Sequence, residues 1–106
     1  MRVSDIQIKQ MSSFKKTYKK LPNEHRLIVN EAIRAIMHSP KSGEEKKGDL
    51  SGVYVYKFKI HQQHMLLAYE WTTTKRLLLA LGAHENFYRD LKENHNGVLA
   101  EIGKNF

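Results

Sequence analysis

The sequence contains no cysteine, which excludes a disulfide framework and any thiolate metal site. It also lacks an apolar run long enough for a membrane span or for the central segment of a signal peptide. With 106 residues, the chain has room for one hydrophobic core. These features predict a single cytoplasmic domain, residues 1–106, without a membrane segment.

Acidic residues are few in comparison with basic ones, 11 against 18, so the formal net charge is +7 and the pI is near 9.7. Such a charge is typical of proteins that bind nucleic acid or another polyanion, because contacts with phosphates release counterions. A surface that keeps the protein in solution, or a basic chain that pairs with an acidic protein, would have the same composition.

The first helical pattern lies before Pro22. Phe14, Tyr18 and Leu21 recur at the spacing of one helix face, and Ser12 or Ser13 is a candidate N-cap. The other face of this helix carries lysines at positions 15, 16, 19 and 20. A solvated helix face is the simplest interpretation of these lysines, although they could also follow a nucleic-acid backbone.

A second helix is expected to begin after Pro22, with Asn23 as a candidate N-cap, and to end before Pro40. Its apolar stripe contains Leu27, Ile28, Val29, Ala32, Ile33, Ala35 and Ile36. Residues 39–49 are polar and rich in glycine and charge, which predicts a loop with little fixed structure.

From Leu50 the apolar period changes to that of β-strands. In residues 53–61, one face carries Tyr54, Tyr56, Phe58 and Ile60, and the other carries Val53, Val55, Lys57, Lys59 and His61. Residues 64–71 and 76–82 are two further strand-length apolar runs with a short turn between them. Short connections predict an antiparallel meander, because parallel pairing needs long crossovers.

The predicted fold class is therefore α+β, in two layers. A strand in residues 1–10 and a helical hairpin in residues 12–39 are expected to pack on a small antiparallel β-sheet. Residues 50–92 would supply the sheet and the site, and residues 93–106 a C-terminal tail with a short helix.

Titratable side chains are expected to gather at one edge of this sheet, because three strand ends meet there. The candidates are Lys57, Lys59, His61, His64, His84 and Tyr88. Convergence of such groups from separate segments is how small enzymes assemble a site.

Metal-independent cleavage of RNA needs such a set of groups, with neither a cofactor nor a metal. A base takes the proton of the ribose 2′-hydroxyl, a cation stabilises the phosphorane, and an acid protonates the leaving 5′-oxygen. Imidazole suits both proton transfers because it titrates near neutrality. In this hypothesis His84 is the acid or the base, and His61 or His64 has the complementary role. The two strand lysines hold the phosphate, and Tyr88 stacks a base or donates a hydrogen bond.

Each assignment has an ordinary structural alternative. The strand lysines could be the solvated face of an edge strand, where lysines discourage aggregation. His61 and His64 could be polar residues of a hairpin loop, and their His-x-x-His spacing is a weak zinc signal without further ligands. Phe87 is expected in the core, and Tyr88 could be a core residue at a helix start.

The segments SSFKKTYKKLP, GDLSGVYVYKFKI, HMLLAYEW and LLLALGAHENFYRDLK occur in this order over residues 6–92. Together they resemble the RelE/ParE superfamily of bacterial type II toxins. The resemblance implies a small basic toxin that a cognate antitoxin holds inactive. Members of the RelE type cleave mRNA, often in the ribosomal decoding site, whereas members of the ParE type poison DNA gyrase.

The resemblance also assigns individual residues. Lys57 and Lys59 match the strand lysines of the cleaving branch, and Tyr88 matches its C-terminal aromatic position. His84 stands where that branch carries an arginine or, in one subgroup, a histidine.

The second strand departs from the pattern of the cleaving branch. That branch often has an arginine before the apolar run, whereas this chain has Met65 and Leu66. If a cation is needed there, His64 or Arg76 would have to replace it. The expected RNA-binding set is therefore Lys57, Lys59, Arg76 and Tyr88.

The resemblance implies three alternative functions, of which the convergence of imidazole and ammonium groups favours the first. The first is a toxin that cleaves mRNA, with ribosome dependence expected, and so inhibits growth by blocking translation. The second is a non-catalytic inhibitor of DNA gyrase. The third is a degenerate toxin that acts mainly as antitoxin partner and corepressor, in a complex that binds operator DNA through the antitoxin.

Overall fold

The computed structural model describes residues 5–83, except for the side chain of Asp49. Its helices and strands, in chain order, are β1 (Gln7–Gln10), α1 (Ser12–Lys20), α2 (Asn23–His38), β2 (Glu44–Glu45), β3 (Tyr54–Ile60), β4 (Gln63–Thr72) and β5 (Lys75–Ala83). Within this part of the chain, no helix combines the length and the apolar character that a membrane crossing requires. The predicted C-terminal helix lies outside the described residues.

The five strands form one sheet in the order β1-β5-β4-β3-β2. β3, β4 and β5 form the predicted antiparallel meander. β1 pairs in parallel with β5, so the sheet is mixed rather than purely antiparallel. The long connection that parallel pairing needs is supplied by the two helices and the strands that follow them.

α1 and α2 form the predicted helical hairpin on one side of the sheet, which we call the helix-side face. Phe14 is buried, and Tyr18 and Leu21 pack against the same cluster, which confirms the predicted inner face of α1. In α2 the buried residues are Val29, Ala32 and Ile36. Leu27 was expected in this stripe, but it is 58% exposed because the contact with the sheet is centred on Val29.

The predicted N-caps of both helices are wrong, because each helix has its N-cap one or two residues earlier in the chain. Met11 is the N-cap of α1, and Ser12 and Ser13 lie in its first turn. Met11 is buried and its amide donates to the carbonyl of Leu78 at 2.9 Å, so pairing with β5 determines where α1 begins. At α2 the N-cap is Pro22 rather than Asn23, because the carbonyl of Pro22 accepts the first hydrogen bond, from the amide of Arg26.

The sheet is apolar on both faces. On the helix-side face, the strands contribute Tyr54, Tyr56, Phe58, Ile60, Met65, Leu67, Tyr69, Trp71, Leu78 and Leu81. The opposite side, which we call the distal face, contains a second cluster of Met11, Leu50, Val53, Val55, Leu66, Ala68, Leu77 and Leu79. The alternation predicted for β3 is therefore correct, and both of its faces contribute to a core.

Residues 39–49 do not form the unstructured loop that their composition predicts. They include a 3-10 turn at Pro40–Ser42, the short strand β2 and the start of a second 3-10 turn at Gly48–Leu50. The buried hydroxyl of Tyr69 organises this segment, since it donates to the carbonyl of Pro40 at 2.6 Å and accepts from the amide of Gly43 at 3.0 Å. A Cβ atom at Gly43 would lie 2.6 Å from that hydroxyl oxygen, so this close approach requires glycine.

A β-bulge in β5 interrupts the alternation of its side chains between the two faces of the sheet. Ala68 pairs with Ala80 but Tyr69 pairs with Leu78, so β5 has one extra residue at this point. As a result Leu79 and Ala80 both pack on the distal cluster, and Leu81 returns to the helix-side cluster. The bulge thus decides which residues face the distal side at the end of β5.

Candidate functional site

The candidate site lies on the distal face, at the end of the sheet next to the β3–β4 hairpin. Lys59 pairs with His64 and Lys57 pairs with Leu66, and residues directly opposite each other point to the same face. Phe58 and Ile60 between them point into the helix-side cluster. Lys57, Lys59 and His64 therefore share one surface, as the sequence predicted.

A cavity of about 260 Å³ opens at this surface. Among the described residues its walls are Lys57, His64, Met65 and Leu66. The side chain of Lys57 is 58% exposed, whereas Leu66 is buried, so the cavity has a cationic rim above an apolar floor. Such a site can hold an anionic group at its rim and a flat apolar or aromatic group against the floor.

Glu44 on β2 lies beside this rim. Its Oε2 atom is 4.0 Å from Nζ of Lys57, and its Oε1 atom is 3.5 Å from Nζ of Lys46. The antiparallel pairing of Glu44 with Val55 brings the carboxylate to the distal face. Sequence reasoning missed Glu44, because it belongs to a two-residue strand within a segment that was predicted to be a loop.

His61 was expected on the same face as the two strand lysines, and this expectation is wrong. His61 lies in the turn between β3 and β4 with a φ of 56°, in the left-handed region, and this turn ends the strand alternation. Its imidazole Nε2 is 3.6 Å from Oε1 of Glu24, and its ring packs edge-on against that of His25, with centroids 5.2 Å apart. His61 therefore contacts the first turn of α2 on the helix side.

Arg76 was expected to bind RNA or to replace the missing strand cation, but the structure places it elsewhere. It is 2% exposed and donates hydrogen bonds to the carbonyls of Ile36 and Met37, at the end of α2. Its Nη1 also donates to the carbonyls of Thr72 and Lys75. Burial lowers the pKa of Arg76 from its ordinary value, but arginine titrates so far above neutrality that the group stays charged.

The place of the missing strand arginine is apolar in the structure as well. Met65 points into the helix-side cluster, and Leu66 forms the floor beside Lys57. Neither His64 nor Arg76 occupies that position. Among the described residues, the cations of the site are thus Lys57 and Lys59, with Lys46 beyond Glu44.

His84 and Tyr88, the other predicted site residues, lie outside the described residues, as does Phe87. The described chain ends at Ala83, which pairs with Met65 next to His64. Gly82 pairs with Leu66 on the distal face, because the bulge has shifted by one residue which positions of β5 face that side. The described part of β5 therefore leads to the edge of the cavity.

These features define a two-layer α+β domain with a mixed sheet and a basic site at one end of its distal face. A model of the ParE-like toxin of type II bacterial toxin–antitoxin systems matches residues 8–92. The chain belongs to this family and is the toxin component of a type II toxin–antitoxin system. A comparison with curated protein sequences found no match.

Solved structures confirm the fold. The RelBE toxin–antitoxin complex of E. coli aligns with a TM-score of 0.60 at 17% identity, over 76% of this chain and 98% of that chain. RelBE2 of Mycobacterium tuberculosis aligns with a TM-score of 0.63 at 17% identity, over 76% and 99% of the two chains. The YoeB dimer of Staphylococcus aureus aligns with a TM-score of 0.61 at 18% identity, over 76% and 98%.

Proposed function

We propose that the chain inhibits growth as a metal-independent endoribonuclease that cleaves mRNA, with the distal-face site as its centre. The observation that carries the proposal is the shared surface of Lys57, Lys59 and His64 beside one cavity. Two ammonium groups can neutralise a phosphate, and an imidazole beside them can move a proton at neutral pH. The apolar floor at Leu66 can pack against a nucleotide base.

The proposed reaction needs one base and one acid. The base removes the proton of a ribose 2′-hydroxyl, and the 2′-oxygen attacks the adjacent phosphorus. The bond from phosphorus to the 5′-oxygen breaks, the acid protonates that oxygen, and a 2′,3′-cyclic phosphate and a 5′-hydroxyl remain. Because His61 contacts α2 instead, His64 and His84 are the pair to which we assign these roles. Lys57 and Lys59 stabilise the phosphorane, and Tyr88 stacks a base.

The proposed site has few groups that can transfer a proton, so its rate should depend on how precisely the substrate RNA is held. Orientation of a bound substrate alone can lower a barrier by several kcal/mol. We therefore expect efficient cleavage on the ribosome, where mRNA is held in place, and little cleavage of free RNA.

A cognate antitoxin is the expected regulator. Several of the similar structures are complexes of a toxin with its antitoxin, including RelBE of E. coli and RelBE2 of Mycobacterium tuberculosis. For a chain with a net charge of +7, an acidic and partly disordered antitoxin segment is the complementary partner. Binding of the complex to operator DNA would then depend on the antitoxin.

Inhibition of DNA gyrase without catalysis is the second candidate function. Two observations favour it: the matching family model is of the ParE-like type, and Leu66 rather than a cation lies next to Lys57. In that case the basic surface binds the target protein and no bond is broken.

One experiment separates the two functions. The chain is expressed without antitoxin, mRNA 5′ ends are mapped within minutes, and gyrase supercoiling is assayed with the purified protein. We expect new 5′ ends with the wild type, and a loss of at least about tenfold with Lys57→Ala/Lys59→Ala, as for removal of electrostatic groups at a phosphoryl centre.

The double variant Lys41→Ala/Lys47→Ala is the matched control, because it removes the same charge from exposed positions outside the site. His64→Ala and His84→Ala test the two imidazoles separately. Inhibited gyrase with no new 5′ ends would reject the nuclease in favour of the ParE-like function.

A further inference from the structure

The exposed side of α1 is a second cationic surface, separate from the distal-face site. Its lysines are Lys15, Lys16, Lys19 and Lys20. All four are exposed, and none of them has an ion-pair partner within residues 5–83. We call this set the α1 lysine face.

The α1 lysine face is cationic without any apolar component. The apolar residues of the helix, Phe14, Tyr18 and Leu21, all pack against the helix-side cluster. What remains on the exposed side, apart from the lysines, is Ser12 and Ser13. Protein–protein hot spots are enriched in tryptophan, tyrosine and arginine, none of which is exposed on this helix. Contacts with a phosphate backbone need only exposed cations in a fixed arrangement.

The helix fixes that arrangement. Lys15 and Lys19, like Lys16 and Lys20, are four residues apart, so each pair forms a row along the axis with a rise of about 6 Å. Acidic residues are absent from the first turn of α1, and Lys19 and Lys20 lie in its last turn, where the helix dipole favours cations. The four ammonium groups can therefore contact successive phosphates without rearrangement of the backbone.

The position of this face indicates the kind of nucleic acid. α1 lies on the helix-side face of the sheet, whereas Lys57 and Lys59 lie on the distal face. A single strand in the cavity does not also lie along α1, because the sheet and the helix layer separate the two surfaces. A folded RNA that surrounds the bound substrate presents phosphates to both sides of the domain.

We propose that the α1 lysine face binds the phosphate backbone of a structured RNA while the distal face is free for a single strand. This adds a docking surface to the proposed function and does not require that the chain cleave RNA. Binding through this face is independent of base sequence, since lysine contacts to phosphates carry no sequence information.

The test measures binding of a fluorescein-labelled RNA hairpin by anisotropy, in the Lys57→Ala/Lys59→Ala background. That background removes the two strand lysines of the distal-face site, so any cleavage or distal-face binding that remains is the same in the variants compared. In it, Lys16→Gln/Lys20→Gln is compared with Lys41→Gln/Lys47→Gln, which removes equal charge from exposed loop positions. Glutamine removes the charge and has a helix propensity close to that of lysine, so α1 is preserved, and circular dichroism checks this.

We expect Lys16→Gln/Lys20→Gln to weaken hairpin binding about tenfold, and to reduce the slope of log K against log salt by about 2, or about 1 for each phosphate that is no longer neutralised. The control should change affinity by less than about twofold. Equal effects of the two double variants would overturn the proposal, because net charge alone would then explain binding. Unchanged hairpin binding together with weaker binding to an acidic partner protein would also overturn it.

A second measurement separates this proposal from the function of the distal site. In an otherwise wild-type chain, Lys16→Gln/Lys20→Gln should cleave a short single-stranded oligoribonucleotide at the wild-type rate, however slow. If neither chain cleaves RNA but the hairpin result holds, the docking surface stands and the nuclease proposal falls.

Discussion

The guanidinium of Arg76, on β5, donates a hydrogen bond from Nε to the main-chain carbonyl of Ile36 at 2.8 Å, and so ties the sheet to the last turn of α2. The same side chain reaches the carbonyl of Met37 and lies over the ring of Trp71, 5.9 Å from its centroid. The last carbonyls of a helix have no partner within the helix, and a cation there also interacts favourably with the helix dipole. One buried arginine thus completes a helix and joins two layers.

Replacement of Arg76 should destabilise the fold. Arg76→Ala leaves buried carbonyls without donors, and we expect the free energy of unfolding to fall by about 3 kcal/mol. Arg76→Lys keeps the charge but not the planar set of donors, so we expect it to lower the free energy of unfolding by about half as much as Arg76→Ala does. Urea unfolding followed by circular dichroism measures both.

Arg34→Ala is the control for Arg76, because Arg34 pairs with Glu31 on the exposed side of α2. Loss of an exposed ion pair costs at most about 0.5 kcal/mol. If Arg76→Ala were no more harmful than this control, the structural role assigned to Arg76 would be wrong.

Tyr69 should make stability depend on pH in the alkaline range. Burial is the main cause that raises its pKa above the ordinary value of 10.0, so the folded state holds the phenolic proton more tightly than the unfolded chain does. The contribution of the protonated phenol to the free energy of unfolding is fully present below about pH 10. It is lost as the pH rises through the raised pKa, because the unfolded state releases its proton first.

The variant Tyr69→Phe tests this. At pH 7 it should lower the free energy of unfolding by about 1–3 kcal/mol, since the carbonyl of Pro40 and the amide of Gly43 lose their partner. Above about pH 10 the difference in the free energy of unfolding between wild type and variant should become smaller, because ionisation at this position destabilises only the wild type. Tyr56→Phe, at a half-buried tyrosine of β3, is the control. If this difference in the free energy of unfolding stayed constant from pH 7 to alkaline pH, the raised pKa of Tyr69 would be wrong.

Glu44 should oppose the binding of anions at the distal face, because its carboxylate lies 4.0 Å from Nζ of Lys57. Glu44→Gln frees that lysine, and we expect a short single-stranded RNA to bind two- to fivefold more tightly, as suits the loss of one exposed ion pair. Glu45→Gln removes the same charge from the next residue, whose carboxylate accepts a hydrogen bond from Tyr54, and serves as the control. An equal increase in RNA affinity from the two variants would show that the ion pair has no specific role. The same conclusion would follow if Glu44→Gln gave its full increase in affinity in a chain that lacks Lys57.

Much of the fold could be predicted from local patterns. The helical period of α1, the two proline breaks and the alternation of β3 each reflect forces between near neighbours in the chain. The shared surface of Lys57 and Lys59 follows directly from that alternation. The addition of His64 required only the assumption of a tight hairpin.

The remaining features of the site depend on contacts between distant residues. Arg76 resembled a site cation in the sequence, but the carbonyls that it satisfies are on α2, 40 residues earlier. His61 followed the strand alternation in the sequence, but the turn at the end of β3 directs it to Glu24 and His25.

By itself the sequence determined the order and type of the main elements, because hydrophobic period, proline and short connections act locally. Only the tertiary structure decided the parallel pairing of β1 with β5, the bulge opposite Ala68 and Tyr69, and the position of Glu44 beside Lys57. These depend on which backbone groups find partners across the sheet, and such pairing is not encoded in any single stretch of the chain.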